Sequence, residues 1–306
     1  MLAIINKLKC YINKIFSYIF LLPIQYSKKK KRRSKFAHLI VQFIAVALNI
    51  KNREACLIYK KGIKSAVTFH YNYSYLANLS VNDIAKEISK VKIINEEYVR
   101  TAEVEKRPII LVSIKSGDFY RGFLRLAEIT TLNKELNIIK VSGKSDNEDK
   151  LYAKLKRYCK RLNIIRFDDD IAKKCFYQLR KNNIAIFMND MEVRVNKRVT
   201  VDFMGKDTHF QCGIAELAVI TKSVVVPVVN YKDDKNQHTL KIEEPIDVEL
   251  LQHEGMAGKV HYITQRLASD MQDWLRSYPE QIHYWDEIAD TFYASKDRKV
   301  NDVIKY

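Results

Sequence analysis

Between residues 109 and 243, short runs rich in Val and Ile alternate with amphipathic stretches, which predicts an α/β fold with a central, mostly parallel or mixed sheet flanked by helices. The chain ahead of residue 100 reads as an N-terminal, membrane-proximal helical region, and no internal repeat or long low-complexity linker interrupts the remainder of the chain. The length of 306 residues, 47% of them hydrophobic, suits one large domain or a domain with an appended helical segment.

Residues 1–35 form the first unit. The stretch from Ile15 to Ile24 is apolar but shorter than the roughly 20 residues a membrane span needs. Lys7, Lys9 and Lys14 break the apolar character ahead of it, and no small-residue cleavage site comes after it, so it does not read as a signal peptide. The run Lys28-Lys29-Lys30-Lys31-Arg32-Arg33 comes directly after it. An apolar segment followed by a basic cluster supplies two membrane signals, with about 1 kcal/mol for each basic residue near an anionic surface. The expectation is an interfacial or partly inserted helix; spanning and lying on the membrane both stay open. A second apolar stretch, from Leu39 to Leu48, supports the same surface or covers the core.

The second unit, residues 36–306, is the α/β domain with its N-terminal helices. Strands are expected at Ile109 to Ile114, Leu136 to Val141, Asn163 to Phe167, Ile184 to Met188, Val199 to Phe203, Val224 to Val229 and Thr239 to Glu243. Helical periodicity marks Tyr120 to Glu128, Asp149 to Leu162, Asp170 to Lys181 and Cys212 to Thr221. Only eight glycines occur, so each marks a turn or a close backbone approach; Gly117 and Gly205 both sit where a strand gives way to a turn.

The formal charge of +17 favours an anionic partner: a phosphorylated lipid, an acidic membrane surface, an acidic carrier protein or nucleic acid. No recognition motif or interleaved aromatics accompany the basic run, so nucleic acid is not expected. The five cysteines are scattered and odd in number, which argues against a disulfide framework or structural zinc and suits a reducing face. The histidines have no metal-ligand spacing, and there is no Gly-rich phosphate loop or dinucleotide fingerprint. No bound cofactor is expected.

Chemistry concentrates at Lys115-Ser116-Gly117-Asp118-Phe119-Tyr120, after the apolar run from Pro108 to Ile114. This turn resembles the His-x-Gly-Asn/Asp-aromatic-Glu/Asp turn of the lipid A late acyltransferases, with Lys115 in place of His and Tyr120 in place of the acid. Phe187-Met188-Asn189-Asp190 is similar to the family's strand ending in Asp, although Met191 replaces the usual Gln. Val201-Asp202-Phe203-Met204-Gly205 is similar to its Phe-Phe-Gly segment, and Gly213-Ile214-Ala215-Glu216-Leu217-Ala218 to its Gly-x-Ala-x-Leu-Ala helix start. Val225-Val226-Pro227-Val228 supplies the next strand, and Pro279-Glu280-Gln281 with Tyr284-Trp285 resembles the family's ending. Asp286-Glu287 stands where basic residues are usual. The resemblance covers roughly residues 10 to 290 and implies an α/β fold on the cytoplasmic face of the inner membrane.

In that family a His deprotonates a hydroxyl on lipid A, an acid orients the His, and the hydroxyl attacks a phosphopantetheine thioester on an acidic carrier protein. Lys115, with an ordinary pKa of about 10.4, fits that role only when burial lowers it. It is therefore a tuned base or an oxyanion or phosphate binder. Tyr120 offers a hydrogen bond without a fixed charge, and Asp118 is the one acid inside the turn. Ser113 and Asp118 match the family's His-to-acid spacing only in a register that misplaces Gly117. Asp190 and Glu192 hold a polar substrate or supply a base, while Arg121, Arg194, Lys197 and Arg198 suit lipid A phosphates or an acidic carrier. Gly205 completes the substrate-side loop. His209 is a candidate replacement for the missing His, and His70 a more distant one.

A branch distantly related to these enzymes transfers glycine from an aminoacylated carrier to lipid A and departs from the usual dyad. The altered turn is similar in that respect, which implies glycyl transfer; fatty-acyl transfer and a lipid-binding relative without activity are the alternatives. The base stays open among Lys115, Asp118, Asp190 and His209.

Overall fold

The computed structural model describes residues 37–130, 134–140, 152–166, 168–190, 197–252 and 255–293. The expected membrane segment 1–35, with its basic cluster, and the candidates Glu192 and Arg194 lie outside the described residues.

Helix α1 (residues 37–48) is followed by α2 (Asn52–Ala77), α3 (Val81–Ser89), strand β1 (Lys92–Ile94) and α4 (Glu97–Val104). At 1.5 Å per residue α2 is about 39 Å long. It buries Ala55, Tyr59, Gly62, Ala66, Phe69, Tyr73 and Leu76, alternately four and three residues apart, so one continuous stripe faces the core. Ser80 starts α3 by accepting the Asp83 backbone N–H, which satisfies one of the free donors at the helix start.

The α/β part contains β2 (Ile109–Ser113), α5 (Phe119–Ile129), β3 (Leu136–Lys140), β4 (Leu162–Arg166), α6 (Ile171–Arg180) and β5 (Ile184–Met188). A hairpin, β6 (Arg198–Phe203) and β7 (Lys206–Gln211), precedes α7 (Gly213–Thr221) and β8 (Val224–Lys232). Then come β9 (His238–Ile242), β10 (Ile246–Asp247), α8 (Gly255–Ser277), a 3-10 turn (Pro279–Gln281) and α9 (Trp285–Tyr293).

The expected fold class holds. An eight-stranded sheet runs β1-β9-β8-β2-β5-β3-β4, with β10 on β8; β6 and β7 form a separate two-stranded sheet. Strands β2, β3, β4 and β5 are parallel, as is the β2–β8 pair, while β8–β9 and β8–β10 are antiparallel, so the sheet is mixed. Central β2 shows why it lacks polar alternation. Ile109 and Leu111 pack into a cluster with α2, α3 and α5, whereas Ile110 and Val112 pack on the opposite face against α7 and α8. A third cluster joins α1, the N-terminal half of α2, the hairpin and α9 around Phe43, Phe203 and Trp285.

Two boundaries differ from expectation. The helix expected over residues 149–162 is helical only at 152–156 among the described residues, because the chain must turn to place Leu162 in β4 opposite Leu136. Arg161 fixes that turn by donating to the Thr130 carbonyl, 3.0 Å away. The segment after Gly205 is strand β7, whose alternation is carried only by buried Thr208 and Phe210. Gly205, at φ +73, closes the hairpin and donates its N–H to Asp202 Oδ1 at 2.9 Å.

Candidate active site

The parallel register of β2 and β5 builds the site. Ser113 faces Met188, so Lys115 and Asp190, each two residues further on, emerge side by side at the carboxyl edge of the sheet. In open α/β sheets this edge is where ligands bind. Asp190 accepts the Lys115 backbone N–H at 2.8 Å, and its Oδ1 lies 4.0 Å from Lys115 Nζ. The Asp190 side chain is fully buried.

The C-terminal segment closes the other side. Gly117 N–H donates to the Gln281 carbonyl at 3.2 Å, His283 N–H donates to the Lys115 carbonyl at 2.9 Å, and Ser116 forms an antiparallel bridge with Ile282. Gln281 also clamps the end of β8: its Oε1 accepts the Lys232 N–H at 2.7 Å and its Nε2 donates to the Lys232 carbonyl at 2.8 Å. Turn, β8 and C-terminal segment are thereby one hydrogen-bonded unit. Ser116 Oγ adds a bond to the Asn230 carbonyl at 2.7 Å. Gly117 sits at φ +54, and a Cβ there would lie 2.7 Å from that same carbonyl, so the turn admits only glycine.

This closure delivers Glu287 and Tyr284 to Lys115. Lys115 Nζ is 3.4 Å from Glu287 Oε2 and 4.3 Å above the centre of the Tyr284 ring. Burial alone would lower the Lys115 ammonium, but Asp190 and Glu287 outweigh it and hold it above the ordinary lysine value. A Lys115 ammonium held in this way fits the oxyanion- or phosphate-binding role better than that of a tuned base. Burial pushes the Glu287 carboxyl up; Lys115 pulls it back, Asp190 and Asp286 push it up again, and it stands at about 7.

The other turn residues have structural partners. Asp118 Oδ2 lies 2.9 Å from Arg121 Nε, and Arg121 Nη1 is 3.0 Å from Glu87 Oε2. Burial pushes the Asp118 carboxyl up against the pull of Arg121. Arg121 itself is buried, its guanidinium held between these two acids, so it ties α5 to α3. Tyr120 is also buried; its ring stacks 4.4 Å from Tyr73 and 5.6 Å from Phe69, both on the core stripe of α2. Ser113 is buried at the end of β2, which fits the register that places Gly117 in the turn.

His209 lies on β7, with Nδ1 3.1 Å from Thr200 Oγ1 across the hairpin; the network around Lys115 is drawn from β2, β5 and the C-terminal segment instead. Exposed Arg198, at the start of β6, lines a cleft of about 560 Å³ with Lys197, Cys212 and Met256, and Lys197 pairs with Glu216 at 3.0 Å. His70 is exposed on α2 beside Phe69.

Two residues of the site, Glu287 and His283, are not picked out by any sequence motif, and Tyr284 is marked only as part of the family-like ending. The visible signal is the acidic Asp286-Glu287 at a place where the resemblance leads one to expect bases. His283 is 3% exposed, lies 5.3 Å from the Phe69 ring, and has neither ring nitrogen in a hydrogen bond of normal geometry, with the Gly117 backbone exerting only a weak pull. Burial, then His70 and Lys115, push its pKa down to about 3, so it is neutral.

A family model described as bacterial lipid A biosynthesis acyltransferase matches residues 31–286. The match takes in the turn, Asp190 and the Pro279-Glu280-Gln281 segment and ends one residue before Glu287. No curated protein matches the chain.

Proposed function

The chain belongs to the bacterial lipid A biosynthesis acyltransferase family, and from that premise we propose that it is a membrane-associated transferase moving an aminoacyl group, glycyl, from a carrier-protein thioester to a hydroxyl of lipid A. One observation carries the choice of donor: the floor of the site is acid-rich. Lys115 faces Asp190 and Glu287, with Asp286 in electrostatic reach of both acids. Among the described residues two carboxyl groups face the one ammonium, which favours a donor that brings its own cation, as the α-amino group of a glycyl thioester does. A fatty chain gains nothing from them.

Membrane association is argued from the apolar stretch Ile15 to Ile24, the basic run from Lys28 to Arg33 and the charge of +17, which suit an anionic leaflet. Among the described residues no helix is long and apolar enough to cross a membrane. The test is mass spectrometry of lipid A from a lipopolysaccharide-making host with and without this protein, supplied with carrier and activating enzyme. A gain of one glycyl unit is expected. A gain of one fatty acyl chain replaces the glycyl reading with the conventional one, and no gain removes transfer to lipid A.

A further inference from the structure

We propose that Glu287 is the general base of the transfer, taking the proton of the attacking hydroxyl while Lys115 beside it faces the oxyanion that forms at the thioester carbonyl. This role rests on the glycyl-transfer reading and concerns a residue just outside the stretch matched to the family.

A general base must reach a hydroxyl that arrives from solvent, so access decides first. Of the two acids paired with Lys115, Asp190 is fully buried, and one of its oxygens is committed to the Lys115 backbone. Glu287, whose Oε2 lies 3.4 Å from Lys115 Nζ, is one-third exposed at the side chain and so is the acid of the pair that a substrate can reach. Asp118 is buried against Arg121. Lys115 is protonated and has no lone pair to offer. His283 is neutral, yet its ring is sealed among Phe69, Phe119 and Tyr284.

Geometry then fixes the roles. Lys115 is held by its backbone to Asp190 and to His283, and its ammonium is held between Glu287 at 3.4 Å, Asp190 at 4.0 Å and the Tyr284 ring at 4.3 Å. Glu287 sits on the first turn of α9, whose start is packed down by fully buried Trp285 donating to the Pro279 carbonyl at 3.0 Å. Base and cation are thus carried on two segments stitched to each other by backbone hydrogen bonds and lie 3.4 Å apart, the preorganisation that acyl transfer requires.

The step balances. The Glu287 carboxylate accepts the hydroxyl proton as the hydroxyl oxygen bonds to the thioester carbon. The carbonyl electrons move to oxygen, opposite the Lys115 ammonium. When the C–O double bond re-forms, the C–S bond breaks, and the leaving thiolate takes the proton back from Glu287. The products are an ester and the free phosphopantetheine thiol. A carboxyl that burial pushes up to about 7, against the pull of Lys115 and with a further push from Asp190 and Asp286, suits this two-way transfer.

The test uses full-length protein in anionic vesicles with glycyl-loaded carrier and hydroxyacylated lipid A, reading the single-turnover rate of ester formation against pH. Wild type should lose rate as pH falls through about 7. Glu287→Gln, which keeps the hydrogen bond to Lys115, should slow the step by about 10²–10⁴-fold and lose that limb of the profile. Formate should restore part of the rate to Glu287→Ala, which a merely structural residue would not allow. If Glu287→Gln fails to fold, Glu287→Asp gives the same test, its carboxylate drawn back by one methylene. Wild-type rate and an unchanged pH profile in folded Glu287→Gln overturn the role of Glu287 alone. A wild-type protein that makes no ester from the glycyl donor overturns the glycyl-transfer reading, and this proposal falls with it.

Discussion

His283 should impose a measurable pH dependence on stability. Its folded value of about 3 lies below its ordinary 6.5, so between these values the unfolded chain holds a proton that the folded chain does not. Unfolding then takes up a proton, and stability falls as pH falls. At about pH 5, roughly 1.5 units below the ordinary value, the loss relative to about pH 7.5 is about 2 kcal/mol at 1.36 kcal/mol per unit. Glu287 and Asp270 act in the opposite sense. Burial raises their folded values to about 7 and about 6, so the folded chain gains from protonation as pH falls. A single pH curve mixes these contributions, and a difference between two proteins separates them.

The substitution is His283→Phe, which keeps an aromatic ring against Phe69 and Phe119 and removes the titrating group. Its larger ring adds a constant overpacking cost of about 1–3 kcal/mol. Urea unfolding of both proteins at the two pH values gives the double difference, in which that constant cancels. The wild type should lose about 2 kcal/mol more than the variant on acidification. Parallel behaviour of the two proteins would show that His283 is not held neutral in a dry pocket, and the account of the sealed ring would be wrong.

Three further outcomes test the frame around the site. A Cβ at Gly122 would lie 1.7 Å from Asn230 Oδ1, so Gly122→Ala should destabilise the fold by about 1–3 kcal/mol, and much less in an Asn230→Ala background; the double-mutant cycle by urea unfolding measures the coupling. Gln281→Leu leaves both Lys232 backbone groups unpaired and should cost about 2–3 kcal/mol, read as a lower urea midpoint, with slower transfer because the same segment holds the turn. Asp190→Ala removes the acceptor of the Lys115 N–H and one of the two acids facing its ammonium, and should cost about 3–5 kcal/mol in the same assay, whereas exposed Glu249→Ala should stay within about 0.5 kcal/mol.

Legibility in the sequence tracks the reach of each interaction. β2 and β5 are readable because strands buried on both faces are continuously apolar. The turn at Gly117 is readable because its φ of +54 requires glycine. Asp190 is recognisable as a strand-end acid, but its bond to the Lys115 backbone needs the β2–β5 pairing, which no local pattern states. Glu287 is 172 residues from Lys115 and meets it only because Gln281 and His283 stitch the C-terminal segment to the turn. Tyr120 resembles a replaced acid by position alone; the α2 stripe that stacks Phe69 and Tyr73 on it is set by helix packing far upstream. β7 escapes the pattern because only Thr208 and Phe210 among its residues are buried, too few for a strand signal.

The most direct test of donor selection is competition: purified protein in anionic vesicles, hydroxyacylated lipid A, and equal amounts of carrier loaded with glycine or with a fatty acyl chain, with the products resolved by mass spectrometry. Predominantly glycyl-modified lipid A is predicted, with the preference reduced in Glu287→Gln and Asp286→Asn, which thin the acids around Lys115. Predominantly fatty-acylated product, or a preference that ignores those two substitutions, would contradict the claim that this acid-rich site selects a cationic donor.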